Sequence, residues 1–556
     1  MGIIEIQVSF LIIGIGFFIF VSKALKEGDF SLTLKNFFLG GGTIGPKLTE
    51  HNTLGNTFAW SGGIWFFVTL AYAYGPWVVL LQIPWIISII IFAILFPRIK
   101  KIIKNKTIHG YLGETYGGPV RILASCATML GYLFNTGFEL FWSALILATI
   151  LGAPQYGLII GIILSAITAL YCSIGGYRAN ASTDKLQNVL GVISLAIISL
   201  FVSFTSDSRL LIGVSIIFSL GCLIYVLLNV FIRTDFNPVQ SKRILLYSGF
   251  LALCTVIITI ILSTNQLSSP NAELFINKPM AFDLLIGIII FQLLFNIVDM
   301  ANWQTAAANA DLEDNDNKMI QWSLIRSAFF LTWFPALGGT LIGLGLRIGF
   351  VGVTDSNIFG FAFATVLPNA DIYIRGILFG IILLGLISST LSTADSFLMS
   401  ATHTLTYDLL HYKKIKRLIS TENVEEEELN FIKLAKIYLF PISVSMVLIF
   451  WLAYTLYKPG NVLDFQMIMY SFAISLFPSV LFALFAKRID SHKTKYSSLF
   501  SIALGITASI LPYLLFVLNK NSIILKELVS LTALITIGAS YLGFYAIGPF
   551  FYRLRK

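Results

Sequence analysis

The sequence predicts an all-α polytopic membrane protein of about fifteen transmembrane helices. Hydrophobic residues make up 57% of its 556 residues and charged residues only 12%, whereas soluble domains carry roughly 25% charge. Mean hydropathy is +0.84. Fifteen apolar runs reach the roughly 20 residues needed to cross the hydrocarbon of a bilayer. The longest polar segment, about residues 411–432, is only the size of a helix hairpin, which argues against an attached kinase or nucleotide-binding domain. Cys126, Cys172, Cys222 and Cys254 lie in or beside apolar stretches without CxxC spacing and read as reduced packing residues.

The first run, about Ile3 to Val21, has no basic segment before it and no small-residue cleavage site; Lys23 and Lys26 follow it. This fits a retained helix with its N-terminus outside better than a signal peptide. A glycine-rich approach, Phe38 to Lys47 (FLGGGTIGPK), leads into a helix from about Leu48 to Tyr74. Asn56, Thr57, Ser61, Gly62 and Gly63 interrupt that helix. Further runs lie near 77–96, 119–150, 156–174, 184–204, 210–231, 244–263, 284–304, 320–346, 374–408, 433–457, 465–486, 497–518 and 528–551.

Basic residues test the orientation. The loops expected inside hold clusters such as Arg98, Lys100, Lys101, Lys104 and Lys106, or Lys413, Lys414, Lys416 and Arg417. Lys487, Arg488, Lys493 and Lys495 form another, and the tail adds Arg553, Arg555 and Lys556. Outer loops hold scattered ones, among them Arg209, Lys278 and Arg347. The exception is acidic ADLEDND after Gln304, and acids count little in this rule. The expectation is N-out and C-in, and topology rather than nucleic-acid binding accounts for the net charge of +9.

Polar residues within the apolar runs carry the functional signal. Residues 385–408 read GLISSTLSTADSFLMSATHTLTYD; on a helix Ser389, Ser392, Thr393, Ser396 and Ser400 share one face, with Asp395 at its edge. Small hydroxyl residues are ordinary at membrane helix interfaces. Equally, hydroxyl, carbonyl and carboxylate oxygens ligate small hard cations. Residues 175–187 (GGYRANASTDKLQ) place Asp184 in a first helical turn, where capping is the simple reading. Residues 295–304 (FNIVDMANWQ) carry an intramembrane acid, Asp299. Buried ionisable groups and broken helices in the two halves of a chain both point to a transporter site.

These residues resemble the sodium/solute symporter family. The resemblance rests on Gly175, Gly176, Thr183, Asp184 and Gln187; on Ser392, Thr393, Asp395 and Ser396, closed by Asp408; and on Ser61 with the Trp303–Gln304 pair. It covers roughly residues 1–490. It implies a 5+5 inverted-repeat core like that of the leucine transporter, with repeats at 48–204 and 284–486. Outside them would lie an N-terminal part (1–47), two inserted helices (205–283), which the usual members lack, and a C-terminal pair (487–556).

The resemblance also implies Na+ as coupling ion, held by Ser389, Ser392 and Thr393 with backbone carbonyls near Thr57 and Trp60. A second cation position would use Asp184, Asp395 and Ser396. A small organic solute would be reached by Asn56, Trp60, Trp65, Asn135, Glu139, Asn296, Asp299 and Gln304. The implied protein is a sodium-coupled symporter in the cell membrane, embedded in lipid, importing its solute by alternating access, with no nucleic-acid partner.

Lys185 departs from the family pattern, and so does Thr305, where a basic residue is common. Lys185 either neutralises Asp184 or snorkels. Glu139 and Asp299 fit three roles: binding a cationic group, taking a proton, or pairing with Arg326 or each other. Rival readings are a proton-coupled carrier relying on Asp184, Glu139 or Asp299, and a non-transporting membrane sensor. An enzyme is not expected, because His51, His109, His403, His411 and His492 show no ligand spacing.

Overall fold

The computed structural model describes residues 3–28, 33–104, 106–206, 208–231, 238–264, 278–349, 371–420, 425–457, 462–486, 491–519 and 522–555, and their regular elements are all helical. Thirteen helices among these residues are long and apolar enough to cross a membrane. Two of the fifteen expected runs are accounted for by local backbone chemistry. The runs at 156–174 and 184–204 form one element, α8 (Gly157–Thr205), which breaks at Gly176 (φ 61°, ψ −156°), a conformation that glycine tolerates. The 48–74 run is not one helix either. It is α3 (Gly45–Gly55), an irregular stretch at 56–59, a π turn (Trp60–Ile64) and α4 (Trp65–Tyr74).

The remaining elements build a bundle around that break. α1 (Ile3–Gly28) and α2 (Leu34–Leu39) precede it; α5 (Gln82–Ile103), α6 (Ile108–Tyr116) and α7 (Gly118–Ile150) lead from it to α8. The pair expected as an insertion is α9 (Arg209–Phe231) and α10 (Pro238–Thr264). A second interrupted helix follows, α11 (Phe282–Val298) and α12 (Met300–Ala307), parted at Asp299. Next come α13 (Asn317–Leu331), a π turn (Thr332–Gly338) and α14 (Gly339–Gly349). Then α15 (Ile372–His403) runs into a π turn (Thr404–Leu410), followed by α16 (Tyr412–Ser420), α17 (Glu425–Tyr457), α18 (Val462–Ile474) and α19 (Phe477–Phe485). The C-terminal part is α20 (Ser491–Leu518), α21 (Ile523–Ser530), α22 (Thr532–Leu542) and α23 (Gly548–Arg555).

α15, the hydroxyl-bearing helix, is the axis of the bundle. Residues 382–403 are buried throughout, against α8, α7 and α1. The outside is apolar: Phe18, Leu246 and Phe282 are each more than 70% exposed. In water such a surface would aggregate; facing lipid it is the expected solvent contact.

α9 lies on α8 and α10 on α13. Aromatic residues of α9 pack on the π turn after α13: Phe218 stacks on Trp333 at 5.7 Å and Tyr225 meets Phe334 at 4.7 Å. Inside the bundle, Arg326 of α13 donates to Glu50 Oε2 of α3 at 2.7 Å, and both side chains are buried. At one end, outside the spans, Lys35 bonds Asp311, with Lys104 3.5 Å away. Burial pushes the Asp311 carboxyl up, but the two lysines outweigh it and hold it below the usual carboxylate range.

Candidate ion and solute site

α3 stops at Gly55, and Ala59 is extended (φ −83°, ψ 146°) before the π turn begins. The backbone N–H groups at the start of that turn have no helical partners of their own. Glu139 of α7 supplies them: Oε1 accepts the Gly62 N–H at 2.6 Å and Oε2 the Ser61 N–H at 3.2 Å. Ser61 Oγ lies 2.9 Å from Ser143 Oγ on the same helix. The approach is so close that a Cβ on Gly62 would collide with Glu139 Oε1. Gly62→Ala is therefore expected to destabilise the protein by about 1–3 kcal/mol, as overpacking does. Thermal unfolding in detergent reads this, and an unchanged Tm contradicts the clamp.

The second break has its own acid. The Ala301 N–H at the start of α12 donates to the Tyr132 hydroxyl of α7 at 2.8 Å and reaches Asp299 Oδ1 at 3.4 Å, and Tyr132 donates in turn to Asp299 Oδ1 at 2.6 Å. Neither acid takes Arg326, which is held by Glu50.

Below the first break the hydroxyl stripe of α15 meets α3 and α8. Thr393 Oγ1 donates to the Gly55 carbonyl at 2.8 Å, and Ser392 Oγ to Asp184 Oδ1 at 2.7 Å. A Cβ on Gly55 would collide with Ser392 Oγ and lie 3.1 Å from Asp184 Oδ1, so glycine is required by close approach. Asp184 Oδ2 and Ser389 Oγ are buried without a hydrogen-bond partner among the described residues. Asp395 accepts from Tyr171 of α8 and, at 3.2 Å, from Ser396. Ser400 lies further along and donates to Gln304 Oε1 at 2.6 Å; Gln304 in turn donates to the Phe38 carbonyl at 2.7 Å.

Of the two carbonyls expected, that of Trp60 accepts the Trp65 N–H within the π turn, and the Thr57 oxygen faces Gly63. The carbonyl at the stripe is that of Gly55.

Between the breaks lies a cavity of ≈ 50 Å³. Asn56, Thr57, Glu139, Asn296, Asp299 and Thr393, all expected from the sequence, line it. Asn135 lines a smaller adjoining cavity of ≈ 10 Å³, which shares Asp299 and Tyr470. Trp60, Trp65 and Gln304 are not among the lining residues. The sequence reading missed Gln82, Trp85, Gln292 and Gln466, which are. Glutamines inside apolar runs at 82, 292 and 466 were the available signal.

A family model described as the sodium:solute symporter family matches residues 37–324, just over half of the chain. The chain belongs to that family. This symporter is thus a multi-pass membrane protein coupled to sodium, from a family of transporters rather than enzymes. No curated protein matches it in sequence. All of the symporter (100%) aligns with 98% of a Na+-coupled sialic acid symporter, solved substrate-bound and outward-open and described as revealing a novel Na+-site, at 16% identity and a TM-score of 0.66. That likeness shows the fold. MHP1, a nucleobase-cation-symport-1 family transporter in a closed conformation, is similar over 93% of this chain and 95% of its own, at 14% identity and TM-score 0.47. MhsT, in complex with L-phenylalanine, is similar over 90% of this chain and 98% of its own, at 14% identity and TM-score 0.45.

Proposed function

We propose that Na+ binds where α15 meets the end of α3, and that a small organic solute binds in the adjoining cavity. Both are carried into the cell together by alternating access across the cell membrane, with the N-terminus outside and the C-terminus inside. The observation that carries this reading is the convergence of Ser392, Thr393 and the Gly55 carbonyl beside two buried oxygens, Asp184 Oδ2 and Ser389 Oγ, that lack hydrogen-bond partners among the described residues. Ser389, Ser392, Thr393 and the Gly55 carbonyl form the first ion position, replacing the carbonyls expected near Thr57 and Trp60. Asp184, Asp395 and Ser396 form a second. Thr393 also lines the solute cavity, so an ion at the first position stiffens the wall the solute touches.

The repeats are proposed at 48–204 and 284–486, with 1–47, 205–283 and 487–556 outside them. Their support is that each opens on an interrupted helix, at 56–59 and at Asp299.

The driving force is adequate. One charge crossing about 100 mV supplies about 2.3 kcal/mol, and a tenfold gradient about 1.4 kcal/mol more. A ligand shifts the conformational equilibrium only by its differential affinity for the two states, so sodium must favour the outward one.

Thermal unfolding of the purified protein in sodium chloride and in potassium chloride, at matched ionic strength, tests the ion. A saturable rise specific to sodium is expected. The buried carboxylates Asp184 and Asp395, each accepting from a hydroxyl of α15, are the observation that favours a proton-driven alternative. Equal Tm values in the two salts, with a pH-driven uptake, would support it instead.

A further inference from the structure

In carriers with broken helices, the positive N-terminal ends of the half-helices ordinarily face anionic groups of the substrate. Both such ends are already occupied here by the protein's own side chains. Glu139 holds the Ser61 and Gly62 N–H groups, and the Tyr132 hydroxyl together with Asp299, to which it donates, caps α12. An incoming carboxylate finds neither helix end free and meets two fixed acids instead. Among the described residues lining the cavity there is no Lys, Arg or His to offset them.

The rest of the lining suits the opposite charge. Trp85 stacks on Phe295 at 5.7 Å, and Tyr470 is parallel to Phe291 at 5.0 Å, so four aromatic rings form one wall. Ring faces attract ammonium and guanidinium groups, most strongly where water is excluded. Gln292 Oε1 and Gln466 Oε1 are acceptors without a hydrogen-bond partner among the described residues, on side chains at least 96% buried.

We infer that the solute is a small organic cation whose ammonium or guanidinium group sits between Glu139, Asp299 and the aromatic wall. This deepens the symport reading above and rests on it. The two acids also make electrostatic room for a second positive charge beside a sodium ion at Thr393.

The test is thermal unfolding of the full-length protein in saturating sodium chloride with tetramethylammonium, choline or guanidinium at millimolar concentration. Beside them run the neutral and anionic isosteres of choline, 3,3-dimethylbutan-1-ol and 3,3-dimethylbutanoate. A saturable rise with at least one cation, and none with the isosteres, is expected. Glu139→Gln and Asp299→Asn should each weaken its apparent affinity by at least about tenfold. Because the isostere series needs no variant, a failure of Glu139→Gln to fold leaves the test intact. Equal or greater stabilisation by an isostere, or no response to any of the three cations, overturns the inference. If the sodium-specific rise persists while the cations fail, the substrate class is wrong and the ion reading stands. If that rise is also missing, the symport reading fails with it.

Discussion

Ser392→Ala/Thr393→Ala abolishes most of the sodium-specific stabilisation, the difference in Tm between sodium and potassium chloride, beyond the loss common to both salts that comes from removing two buried hydrogen bonds. A ligand at a hundredfold excess over its Kd stabilises the folded state by about 2.7 kcal/mol. A variant whose affinity falls a hundredfold retains about 0.4 kcal/mol at the same concentration, by the same relation. The two hydroxyls are fully buried or nearly so, and each spans two helices: Ser392 to Asp184 on α8, Thr393 to Gly55 on α3. Removing them takes two oxygens from the junction without adding volume. A purely structural role would lower Tm equally in both salts. That outcome, or a sodium rise undiminished in the variant, contradicts the ion assignment.

The largest stability loss is expected at Arg326. Its guanidinium is fully buried and held by Glu50 at 2.7 Å, joining α13 to the first half of the interrupted helix. Arg326→Ala strands a buried carboxylate, which typically costs about 3–5 kcal/mol. Replacing both partners removes the stranded charge along with the pair. Arg326→Leu/Glu50→Leu is therefore expected to lie closer to the wild type than Arg326→Ala alone. Thermal unfolding of the single and double variants measures the difference. A double variant as unstable as the single one contradicts the account.

Much of the fold is legible in the sequence, because apolar runs and hydroxyl faces are local patterns. The stripe from Ser389 to Ser400 lies where its spacing puts it, and both interrupted helices are announced by polar residues inside apolar runs. The site is legible only in part, because its contacts are distant in the chain. Glu139 reaches Ser61 across 78 residues, and Gln466 reaches the Gly62 carbonyl across 404. No periodicity encodes such pairings.

Asn56, Thr57, Ser61, Gly62 and Gly63 mark the interruption, but not which carbonyl faces the stripe. The glycines serve the π turn, whereas the helix ends at Gly55, and the Gly55 carbonyl is the one that accepts from Thr393. Trp303 and Gln304 form a family signature, yet Gln304 ties α12 to α15 and α2 away from the cavity. The π turn at Thr404–Leu410 likewise defeats a simple helical wheel: it turns Asp408 towards His109, 3.1 Å away, and Thr107, at 2.7 Å.

Gly55 has a consequence for how such a carrier can diversify. The gap between α3 and α15 is set there by backbone against a serine hydroxyl, and no residue is smaller than glycine. Every substitution at that position adds atoms, and the first of them meets Ser392 Oγ and Asp184 Oδ1. A lineage that keeps both oxygens where they are must therefore keep glycine at 55.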